Sequence, residues 1–306
     1  ASNASPESAL LFCDPDRREF NMLIQFEHVN LGQENGKFSP RTLADGELAD
    51  VMSTWQKTLG ERGWNALYLE NHDQPRAVSR FGDPHGAWYE SATALATAYF
   101  LQRGTPFIYQ GQEIGMLGGH FTRPSDFRDI ESLNYLSAHP GEGVSAGLAA
   151  ISRDNGRTPM QWDSSPAAGF TSGTPWIDLP PSASSIHVER QLADASSVLA
   201  FYRALIDARH RVPALTSGSF RRVDAGDPGL FVYVRSSEGS EVLVMTNLTG
   251  RAITPRGVFF DEDLGPSRWD LYLGNVASPI DSSEAEAGDP LPSSTMAPWE
   301  ARVYLA

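Results

Sequence analysis

Three apolar segments of strand length recur about every 40 residues along the first part of this chain, with a helical pattern between each pair. They are Phe20–Val29, Ala66–Leu69 and Pro106–Gln110, enriched in aromatic and branched residues. Between the first two, Leu43, Leu48, Val51, Met52, Trp55 and Leu59 return every three or four residues, which predicts a helix within Thr42–Glu61 closed by Gly60 and Gly63. Tyr89–Arg103, rich in Ala and Leu and followed by Gly104, predicts a second helix. A rhythm of this kind folds as parallel, right-handed βαβ units with strands covered on both faces.

The second strand ends abruptly. Beyond Leu69 the chain reads Glu70, Asn71, His72, Asp73 and Gln74, and Pro75 then stops any ladder because it has no N–H to donate. Titratable groups just past the carboxyl end of a buried strand are where α/β barrels place their chemistry. The same residues also suit a plain polar loop in which Asn71, Asp73 and Arg76 hold one another. The residues alone leave both readings open.

From Gly118 to Pro181 the pattern gives way to loops crowded with Gly, Pro, Ser and Asp, more irregular chain than a simple connection needs. Val198–His210 reads as a last amphipathic helix. After Pro213 the texture changes to short strands separated by turn residues: Gly229–Val234, Glu241–Asn247, Gly257–Phe260, Trp269–Leu273 and Glu300–Leu305. Strands at this spacing predict a small antiparallel sandwich, with the boundary near residue 212 and a Ser-, Glu- and Gly-rich loop over Pro279–Pro292.

Composition excludes several classes. With 38 acidic against 24 basic residues the formal charge is −14, and no basic block interrupts it, so nucleic acid is not expected as a partner. The single Cys13 rules out an internal disulfide framework and a multi-cysteine metal site. No metal or cofactor is expected. No run of 18 apolar residues is present, so no membrane span is expected.

The run from Trp64 to Gly82, centred on His72 and Asp73, closely resembles the strand-seven motif of glycoside hydrolase family 13, the α-amylase superfamily. Gly104–Gly115 resembles strand eight of its oligo-1,6-glucosidase and α-glucosidase group, and Ser152–Asp163 resembles the loop that follows, down to Ala168–Thr171 and Pro175–Trp176. Ile24–His28 resembles the end of strand six. The similarity runs nearly the whole length and is weakest after residue 250. It implies an α/β chain: residues 1–212 as the C-terminal part of a (β/α)8 TIM barrel, strands six to eight, and residues 213–306 as a small antiparallel β-sandwich domain.

The resemblance also implies a cytoplasmic retaining α-glucosidase that releases terminal α-linked glucose from short oligosaccharides. Asp73 matches the residue that stabilises the transition state, and His72 its partner at the cleavage subsite. Arg153 matches the position that contacts the non-reducing end of the glucose, and Phe26 an aromatic position beside the neighbouring subsite. Arg76 is expected near the second sugar or behind Asp73, with Glu27 and His28 as weaker candidates. Trp162 and Trp176 suit sugar platforms or simple packing.

The family's chemistry needs two carboxyl groups about 5–5.5 Å apart, a nucleophile and an acid/base. These follow strands four and five in family members, and Ala1–Glu7 resembles the segment just beyond the acid. Both carboxylates are therefore expected to be missing, and Asp73 and Glu113 are not expected to replace them. Three parallel strands cannot close a barrel. The isolated chain is accordingly expected to be inactive and to need the missing N-terminal barrel half, on the same chain or a separate one. Gln74 resembles the hydrolases, whereas sucrose isomerases often carry Asn there, and the Arg- and Asp-rich isomerase loop is not found. A transglucosidase or sucrose isomerase-like enzyme is the alternative. A non-catalytic scaffold relative is another, against which the retention of His72, Asp73 and Arg153 argues.

Overall fold

The computed structural model describes residues 3–256, 269–276 and 294–306. Its first part carries helices α1 (Pro6–Cys13), α2 (Glu47–Leu59), α3 (Ala77–Phe81) and α4 (Trp88–Phe100), with short strands β1 (Ala66–Leu67) and β2 (Thr105–Pro106). The loop-rich part adds α5 (Ile130–Ala138), α6 (Ala146–Ile151), α7 (Val188–Leu192), α8 (Val198–Arg211) and α9 (Pro213–Ser217). The last part holds β3 (Ser219–Val223), β4 (Leu230–Ser237), β5 (Ser240–Asn247), β6 (Asp270–Gly274) and β7 (Ala301–Leu305).

The parallel layer forms as the spacing predicts. Leu23 bridges Asn65 in parallel, and β1 pairs with β2 in parallel, Ala66 opposite Thr105. Gly104 leads into β2 with φ 145°, and a Cβ there would lie 2.4 Å from the Asn65 carbonyl oxygen, so only glycine lets the two backbones meet. The ladders are shorter than expected. Phe20–Val29 contributes only isolated bridge residues, Leu23 and Gln25, and then tightens into a 3₁₀ turn at His28–Asn30. There the Glu27 N–H donates to the Gln25 side chain at 2.6 Å, a local bond that competes with strand pairing. In the third segment Thr105 and Phe107 donate to Asn65 O at 2.9 Å and Leu67 O at 2.7 Å, and β2 itself spans only Thr105–Pro106.

α2 is shorter than predicted because Gly46, at φ 89°, forms its N-cap; a Cβ there would also sit 3.0 Å from the Pro228 carbonyl oxygen. α4 is buried at every residue from Ser91 to Phe100. Its position explains this. Leu95, Tyr99 and Phe100 share one core with Leu67 and Leu69 on one side and with Phe231, Tyr233, Val242 and Val244 on the other. A helix covered all round is apolar all round, and Ala lets its neighbours approach closely. Its C-terminal carbonyls are satisfied by buried cations: Arg209 donates to Phe100 O and Gln102 O, each at 2.9 Å, and Arg235 to Leu101 O at 2.6 Å.

The C-terminal strands form one antiparallel sheet in the order β3-β4-β5-β7-β6. One face joins the α4 and α8 core, and the other carries Val232, Val234, Leu243, Met245, Trp269 and Met296. Edge strand β3 was not predicted, because Ser219–Val223 carries Arg221 and Arg222 in a sequence without apolar alternation; Arg222 pairs with Asp50 of α2. Among the described residues, Ile253–Met296 is a further antiparallel bridge outside this sheet. The expected strand Gly257–Phe260 and loop Pro279–Pro292 lie outside the described residues.

Candidate functional site

The site gathers where β1 runs out. Asn71 turns the chain: its side chain accepts the Asp73 N–H at 2.8 Å and its carbonyl accepts the Gln74 N–H at 3.1 Å. This Asx turn projects His72 and Asp73 outward, their side chains 72% and 42% exposed. His72 Nε2 stands 3.4 Å from Asp73 Oδ2.

The 3₁₀ turn Arg153–Arg157 packs directly on that loop. A Cβ at Gly156 would lie 2.6 Å from Gln74 O and 2.8 Å from Asn71 O, and the Tyr109 hydroxyl donates to Gly156 O at 2.8 Å. Both arginines of the turn reach one carboxylate. Asp129 Oδ1 is 2.7 Å from Arg153 Nη2 and 3.2 Å from Arg157 Nη1. Arg157 Nη2 donates to Asp73 Oδ1 at 2.7 Å and its Nε to His72 O at 2.8 Å. Arg153 Nη1 stands 3.8 Å from Asp73 Oδ1, and its Nε lies 3.5 Å from Glu131, which Lys37 pairs from the other side.

Asp129 is buried as the N-cap of α5. Burial works to raise its carboxyl, but the Arg153 hydrogen bond and the two guanidinium charges outweigh this and hold it below the usual carboxylate range. Its backbone N–H is gripped at 3.0 Å by Asp154, whose wholly buried carboxylate also accepts the Ser152 hydroxyl at 3.2 Å.

Of the expected site residues, the structure therefore brings together His72, Asp73 and Arg153. It does not bring Arg76 with them. Arg76 is fully buried and pairs with Glu70, not with Asp73. The physical reason is local: Pro75 turns the chain inward, where Glu70 and the Gln110 carbonyl offer acceptors at 3.0 and 2.7 Å. Phe26 is half-buried on the first segment. Glu27 accepts the Trp55 indole N–H at 2.6 Å, and His28 is buried edge-on to Tyr68. Trp162 and Trp176 are half exposed. Among the described residues, no cluster of three His, Cys, Asp or Glu side chains is placed to hold a metal ion. No helix there is long and apolar enough to cross a membrane.

Sequence reasoning missed Asp129 and Arg157 as members of this group. Arg157 stood four residues after Arg153 in the same motif, and that spacing was the available signal. Asp129 had none, because its role depends on how the Gly118–Pro181 loops fold back.

Comparison with known proteins places this geometry in a family. Residues 1–218 match the family model described as alpha amylase, catalytic domain. An oligo-1,6-glucosidase of Parageobacillus thermoglucosidasius is 41% identical over 98% of this chain and 53% of its own length. A trehalose-6-phosphate hydrolase of Bacillus subtilis is 36% identical over 99% of this chain and 54% of its own. Among solved structures, trehalose-6-phosphate hydrolase of Bacillus licheniformis superposes with a TM-score of 0.86 at 32% identity, covering 99% of this chain and 54% of that one. An isomaltulose synthase of Erwinia rhapontici gives a TM-score of 0.85 at 34% identity with the same coverage. The chain spans about half the length of the curated relatives it matches. These matches imply a TIM barrel with a C-terminal antiparallel sheet domain, and β3 to β7 fit the latter.

Proposed function

The chain belongs to the α-amylase catalytic-domain family of glycoside hydrolases, and on that premise we propose that it is the sugar-gripping half of a retaining α-glucosidase acting on short oligosaccharides in the cytoplasm. The observation that carries this reading is the outward-facing group of His72, Asp73 and Arg153 at the end of β1. Asp73 and His72 hold the hydroxyls of the glucose ring at the cleavage point, and Arg153 closes its non-reducing end. A carboxylate bond to that ring contributes to catalysis to the extent that it strengthens as positive charge develops. Phe26 lines the neighbouring subsite. Arg76 acts from beneath, bracing the loop through Glu70.

The three parallel segments are strands six to eight of the barrel, the domain boundary falls between residues 212 and 213, and the antiparallel sheet is one layer of a sandwich. Neither the nucleophile nor the acid/base lies in this chain, so it works with an N-terminal barrel half. The exposure of Phe20, Met22, Ile24 and Phe107 along the parallel layer supports this, because an apolar face of that kind is covered in a closed barrel.

Retention is the discriminating chemical claim. Proton NMR of an oligosaccharide digest by the chain reconstituted with the N-terminal half of a close relative should show α-glucose first, the β-anomer appearing only by mutarotation. First appearance of the β-anomer would contradict a glucosyl-enzyme route. A transglucosidase or sucrose isomerase-like activity is the second reading, favoured by the likeness to isomaltulose and trehalulose synthases. Sucrose offered to the same assembly decides it: isomerised disaccharide, rather than free glucose, supports that alternative.

A further inference from the structure

We propose that Arg157 is a positioning residue that sets the orientation of Asp73, with Asp129 as its anchor. The consequence for sugar binding rests on the proposed function; the positioning itself does not.

Arg157 uses all three sides of its guanidinium. Nε donates to His72 O at 2.8 Å, Nη2 to Asp73 Oδ1 at 2.7 Å and Nη1 to Asp129 Oδ1 at 3.2 Å. A planar, delocalised fork cannot turn toward one partner without leaving the others, so three contacts fix its plane. Two of them fall on the same turn, one on backbone and one on the reactive side chain. Arg153 is not equivalent: it reaches Asp73 at 3.8 Å, an ion-pair contact without a hydrogen bond, and is held by Asp129 at 2.7 Å.

The anchor is itself rigid. Asp129 caps α5 through the Ser132 N–H at 3.3 Å, and Asp154 holds its backbone N–H at 3.0 Å. A line of contacts thus runs from the buried Asp154 through Asp129 and Arg157 to the exposed Asp73. With Oδ1 occupied, Asp73 presents Oδ2, beside the His72 ring, to a ligand. A carboxylate that must meet a sugar ring within a fraction of an ångström needs such support.

The test has two independent readouts. Crystal structures of the full chain as wild type, Arg157→Lys and Arg157→Gln report the geometry directly. In Arg157→Gln the Asp73 carboxylate should split between rotamers or swing away, with the Arg153–Asp129 pair kept. An Asp73 that stays in one unmoved rotamer overturns the proposal. Should Arg157→Gln not fold, Arg157→Lys serves, since an ammonium cannot bridge His72 O, Asp73 and Asp129 together, and the same criterion applies to it.

The second readout is a double-mutant cycle, by calorimetry, on binding of 1-deoxynojirimycin, a cationic glucose-shaped probe, to the chain assembled with the N-terminal half of a close relative. Arg157→Lys should weaken binding roughly tenfold in the wild-type background and hardly at all in an Asp73→Ala background. Equal losses in both backgrounds would mean that Arg157 serves the fold generally, and would overturn the proposal. No binding by the wild-type assembly would count against the sugar-site reading, and the crystal structures would still decide the role of Arg157.

Discussion

Arg76 and Glu70 face each other at 3.0 Å with both side chains closed to solvent, directly beneath the turn that carries His72 and Asp73. Arg76 also donates to Gln110 O at 2.7 Å and lies over the Tyr109 ring at 5.2 Å, while Glu70 accepts the Ala77 N–H. The pair thus joins the ends of two neighbouring parallel segments. The candidate sugar site stands on this strut.

Removing one partner of a buried pair leaves the other without compensation. Arg76→Met should cost about 3–5 kcal/mol in urea unfolding at pH 7, and Glu70→Leu added to it should restore most of that. Burial already raises the Glu70 carboxyl above its usual value. Without Arg76 it should rise further, and a folded value above the unfolded one means that stability falls as pH climbs through it. The Arg76→Met deficit should therefore grow as pH rises above the usual carboxylate range. A deficit under about 1 kcal/mol at pH 7 would show that the pair is not the strut described.

His28 predicts a separate acid sensitivity. Its ring is buried, with Gln25 Nε2 2.8 Å from Nδ1, and burial pulls it down from 6.5 to about 3. The unfolded chain then binds the extra proton between those values, so stability falls as pH drops through that window. The slope should approach about 1.4 kcal/mol per pH unit for this one group. His28→Asn should be less stable at pH 7 but lose less on acidification from 6.5 to 4.5. Equal pH slopes in both proteins would place the acid sensitivity elsewhere.

Trp176, 55% exposed, separates a sugar platform from packing. Trp176→Ala should change stability by no more than about 0.5 kcal/mol, as exposed substitutions do. Binding of a maltose-length sugar should weaken severalfold. Loss of about 2 kcal/mol or more of stability, with affinity intact, would assign the ring to packing.

How much of this was legible beforehand differs by element. The parallel order of the three segments and the positions of α2, α4 and α8 followed from apolar spacing, because burial imposes that spacing on sequence. The pairing lengths did not, since a side-chain bond such as that at Gln25 acts locally and leaves no mark on apolar spacing. His72, Asp73 and Arg153 were visible through their motifs, and the structure brings them together. Arg76 was read as near the sugar or behind Asp73, because sequence shows adjacency and not which way the chain turns after Pro75. Asp129 was invisible: it meets Arg153 and Arg157 only once a long irregular loop has folded back.

The most direct test of the central claim is hydrolysis of p-nitrophenyl α-glucoside by this chain alone and together with the N-terminal barrel half of a close relative such as the Parageobacillus enzyme. Turnover by the assembled pair, lost in Asp73→Ala and absent from the chain alone, is the expected result. Turnover by the chain alone would contradict it, because a catalytic carboxylate pair would then have to lie within these residues.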